Sequence, residues 1–385
     1  MEKPLSSTPI PGPIVLFGSG ETSPSGRKVF EVIMRRLPEY PKVALLETPA
    51  GFELNSSQVI GRIGDFIAYR LQNYQPRLTI VPARKRGTPF SPDDPQIIEP
   101  LYHADLIFMG PGSPTYAVRQ LEDSLAWHAT LARHRLGAAL VLASAAVVAV
   151  STFALPVYEI YKVGEELHWK KGLDLFGLYG LPLVFVPHWN NNDGGEELDT
   201  SRCFMGKSRF TRLVEMLPAD LTVVGIDEKT ALVVYPQDGL CEVVGLGGVT
   251  LIHTGQEHQD SSGAEALRGT GLIEVAQMRR GHVHQFQHGQ TFSLSRIGEF
   301  HPVEGGTGLP DSVWEYALEV QQQSEEKAPQ PTEEVLELVR QRELARQMKN
   351  WQEADRLRQL IANLGWQVLD TRQGPQLEPI KSSER

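Results

Sequence analysis

The chain has 385 residues, of which 41% are hydrophobic and 22% charged, a balance that excludes global disorder and gives room for one large domain or two ordinary ones. Its formal net charge of −10 excludes a protein whose main task is to grip the nucleic-acid backbone, which needs concentrated positive charge. Two cysteines, Cys203 and Cys241, are too few and too far apart for a disulfide framework or a zinc cluster, so a reducing cytoplasm is the expected setting.

Before the first glycines there is one lysine and no apolar run of signal-peptide length, so no export is expected. Strand-length apolar runs then alternate with amphipathic stretches: Ile14–Phe17 and Lys28–Leu37, Val43–Leu46 and Ser57–Leu71, Leu78–Val81, then Leu106–Met109 and Tyr116–Leu121. This alternation reads as βαβ units on a parallel sheet. Leu136–Tyr158 is uncharged over about the length of a membrane span. It divides into a short strand, Ala139–Ala143, a serine, and a small-residue helix, which suits a buried strand feeding a buried helix. No membrane span is expected. Further strands are predicted at Leu183–Val186, Thr222–Ile226, Ala231–Tyr235 and Cys241–Val244. The predicted fold class is α/β, a doubly wound, mostly parallel sheet whose strand C-termini are the default place for a site.

From about Gly247 to His301 the pattern changes to short strands broken by glycine, with Thr250–His253 and His282–Phe286 as antiparallel additions, a β-rich appendix to the sheet. The polar, proline-bearing stretch 321–332 has linker composition. After it, Glu333–Leu364 is densely helical, broken at Lys349-Asn350, with Asn350 and Glu353 as an N-cap pair. The predicted divisions are 13–255 for the α/β domain, 256–320 for the appendix, 321–332 for the linker and 333–374 for an α-helical hairpin.

Ser144 lies between the apolar strand and the small-residue helix, a context that projects a nucleophile above a sheet and points the following N–H groups at a developing oxyanion. The elbow pattern G-x-S-x-G has Leu142 and Ala146 at its glycine positions, and an ordinary buried serine accounts for the local pattern as well. With leucine there, Leu142 is expected to be buried and Ser144 to be less strained than in a hydrolase elbow. His188 ends the strand before Trp189 and a polar loop, over the same sheet edge, where a general base would stand. A hydrogen-bonded loop histidine is the plain alternative. Asp227 and Glu228 sit in a turn after a third strand, either as a carboxylate that orients an imidazole or as solvated charge. The loop Gly110–Tyr116 brings glycine backbone close to a substrate, with Gly112 as a donor because Pro111 has no N–H. The Gly18–Thr22 loop lacks the spacing of a nucleotide-binding motif, so no cofactor is predicted.

In order and spacing, GSGE, FMGPGSPTY, the strand ending in Ala143-Ser144-Ala145-Ala146, GLYGLPLVFVPHW, SRFTRL and GIDEKTALVV resemble the serine peptidase family of cyanophycinase and the aspartyl dipeptidase, over about residues 13–255. The resemblance implies a class I glutamine amidotransferase-like fold in which a serine replaces the amidotransferase cysteine. By position it implies Ser144 as nucleophile, His188 as its base, Glu228 as the acidic partner, and Gly112 with the Ala145 N–H on the oxyanion side. Both glycines of the family's elbow, G-x-S-A-G-A, are replaced here.

Arg202 and Arg209, among the basic residues following His188, are candidates to hold a substrate carboxylate, with Asn190 beside them. A solvated helix face is the alternative. His282, His284 and His288 lack a carboxylate or cysteine at ligand spacing, so no metal is predicted. The segment ARQMKNWQEADRLRQLIANLGWQVLDTRQGP resembles the C-terminal end of cysteinyl-tRNA synthetases, without the upstream segments that aminoacylation needs. Its basic residues Arg342, Arg346, Lys349 and Arg356 suit RNA backbone, while Ala354, Leu357 and Ile361 equally suit packing within the hairpin. Two functions follow as expectations. One is a serine-type hydrolase of peptide or amide bonds, acting on small acidic peptides through Ser144, His188 and Glu228. The other is a catalytically degenerate binding protein on the same fold whose hairpin contacts tRNA or a protein. A homodimer is compatible with either.

Overall fold

The computed structural model describes residues 10–254, 283–326, 331–371 and 374–380, which divide into two compact units, Met1–Leu318 and Glu319–Arg385. In the first, strands β1 (Ile14–Phe17), β2 (Lys42–Leu46), β3 (Arg77–Val81), β4 (Leu106–Met109) and β5 (Ala139–Ala143) pair in parallel in the order β1-β5-β4-β2-β3. Strands β1, β4 and β5 are apolar and buried at every position because helices cover both faces. After two short strands, β6 (Phe153–Ala154) and β7 (Lys170–Lys171), come β8 (Leu183–Val186), β9 (Thr222–Ile226), β10 (Thr230–Tyr235), β11 (Leu240–Gly245), β12 (Gly248–His253), β13 (Val283–Gln287) and β14 (Thr291–Ser293). Strands β10, β11 and β14 extend the β1 edge antiparallel, completing an eight-stranded sheet.

Strands β8 and β9 are parallel to each other but lie in a second, four-stranded sheet with β12 and β13. The sequence reading put them in the main sheet. An apolar run reports burial, not which neighbour its backbone pairs with, so the division into two sheets is invisible to it. The two sheets meet through loops at one end: the His188 N–H, after β8, donates to Gly18 O, after β1, at 3.1 Å. A Cβ on Gly18 would stand 2.1 Å from Asp227 O, so only glycine lets these loops close.

The run Leu136–Tyr158 is broken in the way the apolar pattern predicts, with β5, Ser144 and the short helix Ala145–Ala149. Among the described residues, no helix is long and apolar enough to cross a membrane. The stretch read as a linker differs: helix Asp311–Glu326 runs through its first half and through the end of the expected appendix. Gln and Glu are good helix formers, so polarity there does not mean loop. Residues 255–282, including His282 and the first part of the expected appendix, lie outside the described residues.

In the second unit, helices Glu333–Gln347 and Trp351–Asn363 join at Lys349, whose φ of 57° makes the reversal. Ala345, Ala354 and Leu357 pack between them. The end of the division expected to be a helical hairpin is instead a strand, β15 (Trp366–Thr371), which pairs antiparallel with β16 (Gly374–Pro379), a strand that runs past the expected boundary. Trp366 and Val368 pack on Val335, Val339 and Ile361. Buried Arg342 makes two 2.9 Å hydrogen bonds to Asp370, which also pairs with Arg346.

Candidate active site

Ser144 directly follows β5, and His188 and Glu228 each stand two residues past the ends of β8 and β9, so three strand C-termini deliver three side chains to one place. Ser144 Oγ lies 2.9 Å from His188 Nε2, and His188 Nδ1 lies 2.9 Å from Glu228 Oε1. A carboxylate only accepts, so Nδ1 carries the proton and Nε2 is left to accept from the serine hydroxyl. The Glu228 carboxyl is held below its ordinary range chiefly by the His188 hydrogen bond, against burial, with help from the Asn191 amide. Asn191 is buried, and its Nδ2 donates to the same Oε1 at 2.9 Å. Sequence reasoning missed Asn191; its signal was a polar residue three positions after the histidine.

The backbone at Ser144 has φ 52° and ψ −108°, a region costing on the order of 1–3 kcal/mol for a residue with a Cβ. This corrects the expectation of a relaxed turn. Leu142 is fully buried, in register with Leu16 of β1 and Met109 of β4, and stays in the sheet. The bend therefore falls on Ser144 alone, held by its N–H to Phe17 O and its carbonyl to the Val147 and Val148 N–H groups. His188 also has a positive φ, 50°.

Ala145 opens the helix Ala145–Ala149, where first-turn N–H groups have no intrahelical acceptor. Gly112 sits at φ 146°, with Pro49 O so near that a Cβ would stand 1.9 Å from it. The neighbouring Ser113 N–H bonds that same carbonyl at 3.0 Å and the Ser113 side chain caps helix Pro114–Leu121. Glu21, on the loop after β1, has its carboxyl raised by burial, against the lowering effect of its own backbone hydrogen bond. The Cys203 thiol, whose N–H bonds His188 O at 3.2 Å, is pushed up to about 12 by burial, so it does not compete as a nucleophile.

Two of the expected substrate-binding residues have other work. Arg202 is buried with its guanidinium 4.0 Å over the Trp189 ring, Nη1 donates to Trp189 O at 2.7 Å, and burial lowers it to about 10. It fastens the loop after His188, because an arginine surrounded by aromatic and carbonyl groups is held by them. Asn190 Oδ1 accepts the Glu228 N–H at 2.8 Å and fixes that turn. Arg209 is half-buried, with Nε and Nη2 on the carbonyls of Met205 and Phe204. Asp227 accepts the Gly248 N–H and serves its own turn. Among the described residues, no group of three His, Cys, Asp or Glu is placed to hold a metal ion, and the His288 ring instead accepts the Gly245 N–H at 3.2 Å.

The geometry defines a serine–histidine–carboxylate arrangement on the C-terminal edge of a mixed α/β fold with a large, mainly parallel sheet. No family model matches the chain. A solved structure described as a peptidase from an acI-B1 Actinobacterium is similar in fold, with a TM-score of 0.55 and 20% identity over 74% of this chain and 98% of that one. A putative peptidase E protein from Listeria monocytogenes gives a TM-score of 0.41 and 14% identity over 61% of this chain and 99% of its own. A short C-terminal stretch matches cysteine–tRNA ligases. That of Caldicellulosiruptor saccharolyticus is 50% identical over 64 residues, 17% of this chain and 13% of the ligase. That of Chlamydia trachomatis is 50% identical over 52 residues, 14% and 11%. The chain thus spans only a small part of the length of these curated relatives.

Proposed function

We propose that the protein is a serine-type peptidase, with Ser144 as nucleophile, His188 as general base and Glu228 as the group that orients the imidazole. The reading rests on the continuous hydrogen-bonded line from Ser144 Oγ through His188 to Glu228, anchored on a strained Ser144. Ser144 Oγ attacks the scissile carbonyl as its proton passes to His188 Nε2, and the charge arising on the carbonyl oxygen meets the Ala145 N–H with Gly112 alongside. Collapse breaks the C–N bond, and His188 returns the proton to the leaving nitrogen. Water then attacks the acyl-serine, giving its proton to His188, and the released Ser144 Oγ takes a proton back. Glu228 keeps its charge and stabilises the imidazolium. The peptidase described among the fold neighbours supports this reading, as does the resemblance to the cyanophycinase and aspartyl dipeptidase family in a glutamine amidotransferase-like fold.

A fluorophosphonate reagent tests it: intact-mass and peptide analysis should place one adduct on Ser144, and Ser144→Ala should carry none. An inert wild type, or an adduct that survives the substitution, overturns the reading. For the second unit, the 50% identity to cysteine–tRNA ligases favours a tRNA contact through its basic residues. That contact should weaken steeply with salt, with Lys349→Ala reducing the slope.

A further inference from the structure

Acyl transfer at Ser144 and His188 gives the substrate a direction. The imidazole that takes the serine proton must hand it to the departing nitrogen, so the leaving segment lies on the His188 side. There the chain takes an unusual form: Arg202, Cys203 and Phe204 have φ of 58°, 58° and 68°, a left-handed run that residues with a Cβ avoid. It is pinned by N–H bonds from Arg202 to Trp189 O at 2.9 Å, from Cys203 to His188 O at 3.2 Å and from Gly206 to Ser201 O at 2.7 Å. Its effect is to turn the Phe204 ring to the imidazole, centroids 5.8 Å apart, with the Tyr161 ring 5.3 Å beyond. Tyr161 in turn lines a hollow of about 450 Å³ shared with Leu198, Met205, Lys207 and Arg209.

The hollow combines the aromatic and apolar side chains of Tyr161, Leu198 and Met205 with the cationic ones of Lys207 and Arg209. Leu198 is half-exposed, at 50%. Arg209 is held at its edge by the Met205 and Phe204 carbonyls, and Lys207 is exposed. The one carboxylate there, Asp199, is engaged by the Ser201 N–H and Oγ and the Lys207 N–H, which hold it below its ordinary range once they outweigh burial. The two ring-to-ring steps reach at most about three extended residues, at roughly 3.5 Å each, from the imidazole.

Resting on the peptidase reading, the geometry points to a leaving-side subsite reached past Phe204: Tyr161 and Leu198 take an apolar side chain, and Lys207 with Arg209 takes the free C-terminal carboxylate of the leaving segment. The substrates are therefore short peptides with two or three residues beyond the scissile bond, ending in a carboxylate. Calorimetry on the full-length Ser144→Ala protein tests this without turnover, using one apolar-ended tetrapeptide as free acid and as C-terminal amide. The acid should bind about tenfold more tightly, as expected for one charge-assisted contact. Lys207→Gln, at an exposed position where folding is not at stake, should cut that ratio by about threefold, and adding Arg209→Gln should bring it to about one. Equal binding of acid and amide, or a ratio unchanged in the double variant, overturns the subsite. Fluorophosphonate labelling of the wild type separately reports the nucleophile, so a failure of the peptidase reading is distinguishable from a failure here.

Discussion

In the first unit Ser144 and His188 hold left-handed backbone at the ends of strands buried along their whole length. The second unit fastens β15 to helix Glu333–Gln347 through Arg342 and Asp370, over a cluster of five buried apolar residues. The difference is one of what supplies rigidity. A sheet packed on both faces loses much apolar burial if one strand shifts, so it can keep a serine in a costly conformation. A helix pair of this size has little such reserve, and paired charge does the fixing. Chemistry should therefore break first in the one unit, and stability in the other.

The largest expected effect comes from His188→Ala, which should lower kcat by about 10⁶-fold, the scale seen when a triad base is removed, while thermal unfolding of the first unit moves little. A large loss of stability with activity partly kept would mean that the imidazole serves the fold instead. Glu228→Gln should come next, at about 10⁴-fold in kcat with KM nearly constant, because the amide can donate to Nδ1 and favour the wrong tautomer. Asn191→Ala, removing the second bond to Oε1, should move in the same direction by less. Because the Glu228 carboxyl is held below its ordinary value of 4.5, chiefly by the His188 hydrogen bond, its stabilising contribution is present above that value and is lost as pH falls through the lower folded value. Thermal unfolding of the first unit followed into acid should therefore keep this contribution below pH 4.5 before it fades.

Much of this edge was legible in the sequence because parallel-sheet chemistry obeys position. Ser144, His188 and Glu228 each stand within two residues of an apolar run, and runs of that kind end at a common edge. What stayed hidden depended on partners that no run specifies. The pairing of β8 with β9 in a second sheet, the stacking of Arg202 on Trp189 and the use of Asn190 as a backbone acceptor all arise from contacts distant in sequence or from loop geometry. The candidate acid-binding residues were chosen by charge alone, and charge does not distinguish an arginine facing a substrate from one fastening a loop.

The second unit offers the converse test. Asp370→Asn should cost it about 2 kcal/mol, within the range for a hydrogen bond to a charged group and discounted because the Asp370 side chain is 45% exposed. Arg342, at 5%, would be left without its strongest acceptor. Separate unfolding transitions, followed by the fluorescence of Trp351 and Trp366 against that of the first unit, would resolve this, with labelling of Ser144 unaltered. The Asp370 carboxyl is held well below its ordinary value by the two arginines, Arg342 first. The contribution is thus full above about pH 4 and decays only in stronger acid. A second unit that melts at unchanged temperature in the variant would show that the apolar cluster suffices.

The smallest expected effect bears on the missing glycines. Ala146 is buried in the first turn after Ser144, so if its methyl group obstructed the elbow, Ala146→Gly would speed acylation. The structure argues otherwise, since Ser144 already takes the whole bend while Leu142 remains in register with Leu16 and Met109. Ala146→Gly should then change the fluorophosphonate labelling rate by less than about twofold, under 0.5 kcal/mol in barrier, and lower stability by about 1 kcal/mol through lost helix propensity and the lost methyl. Acceleration of tenfold or more would mean that a side chain at this position holds the nucleophile back, and that the strain at Ser144 is not enough to present it.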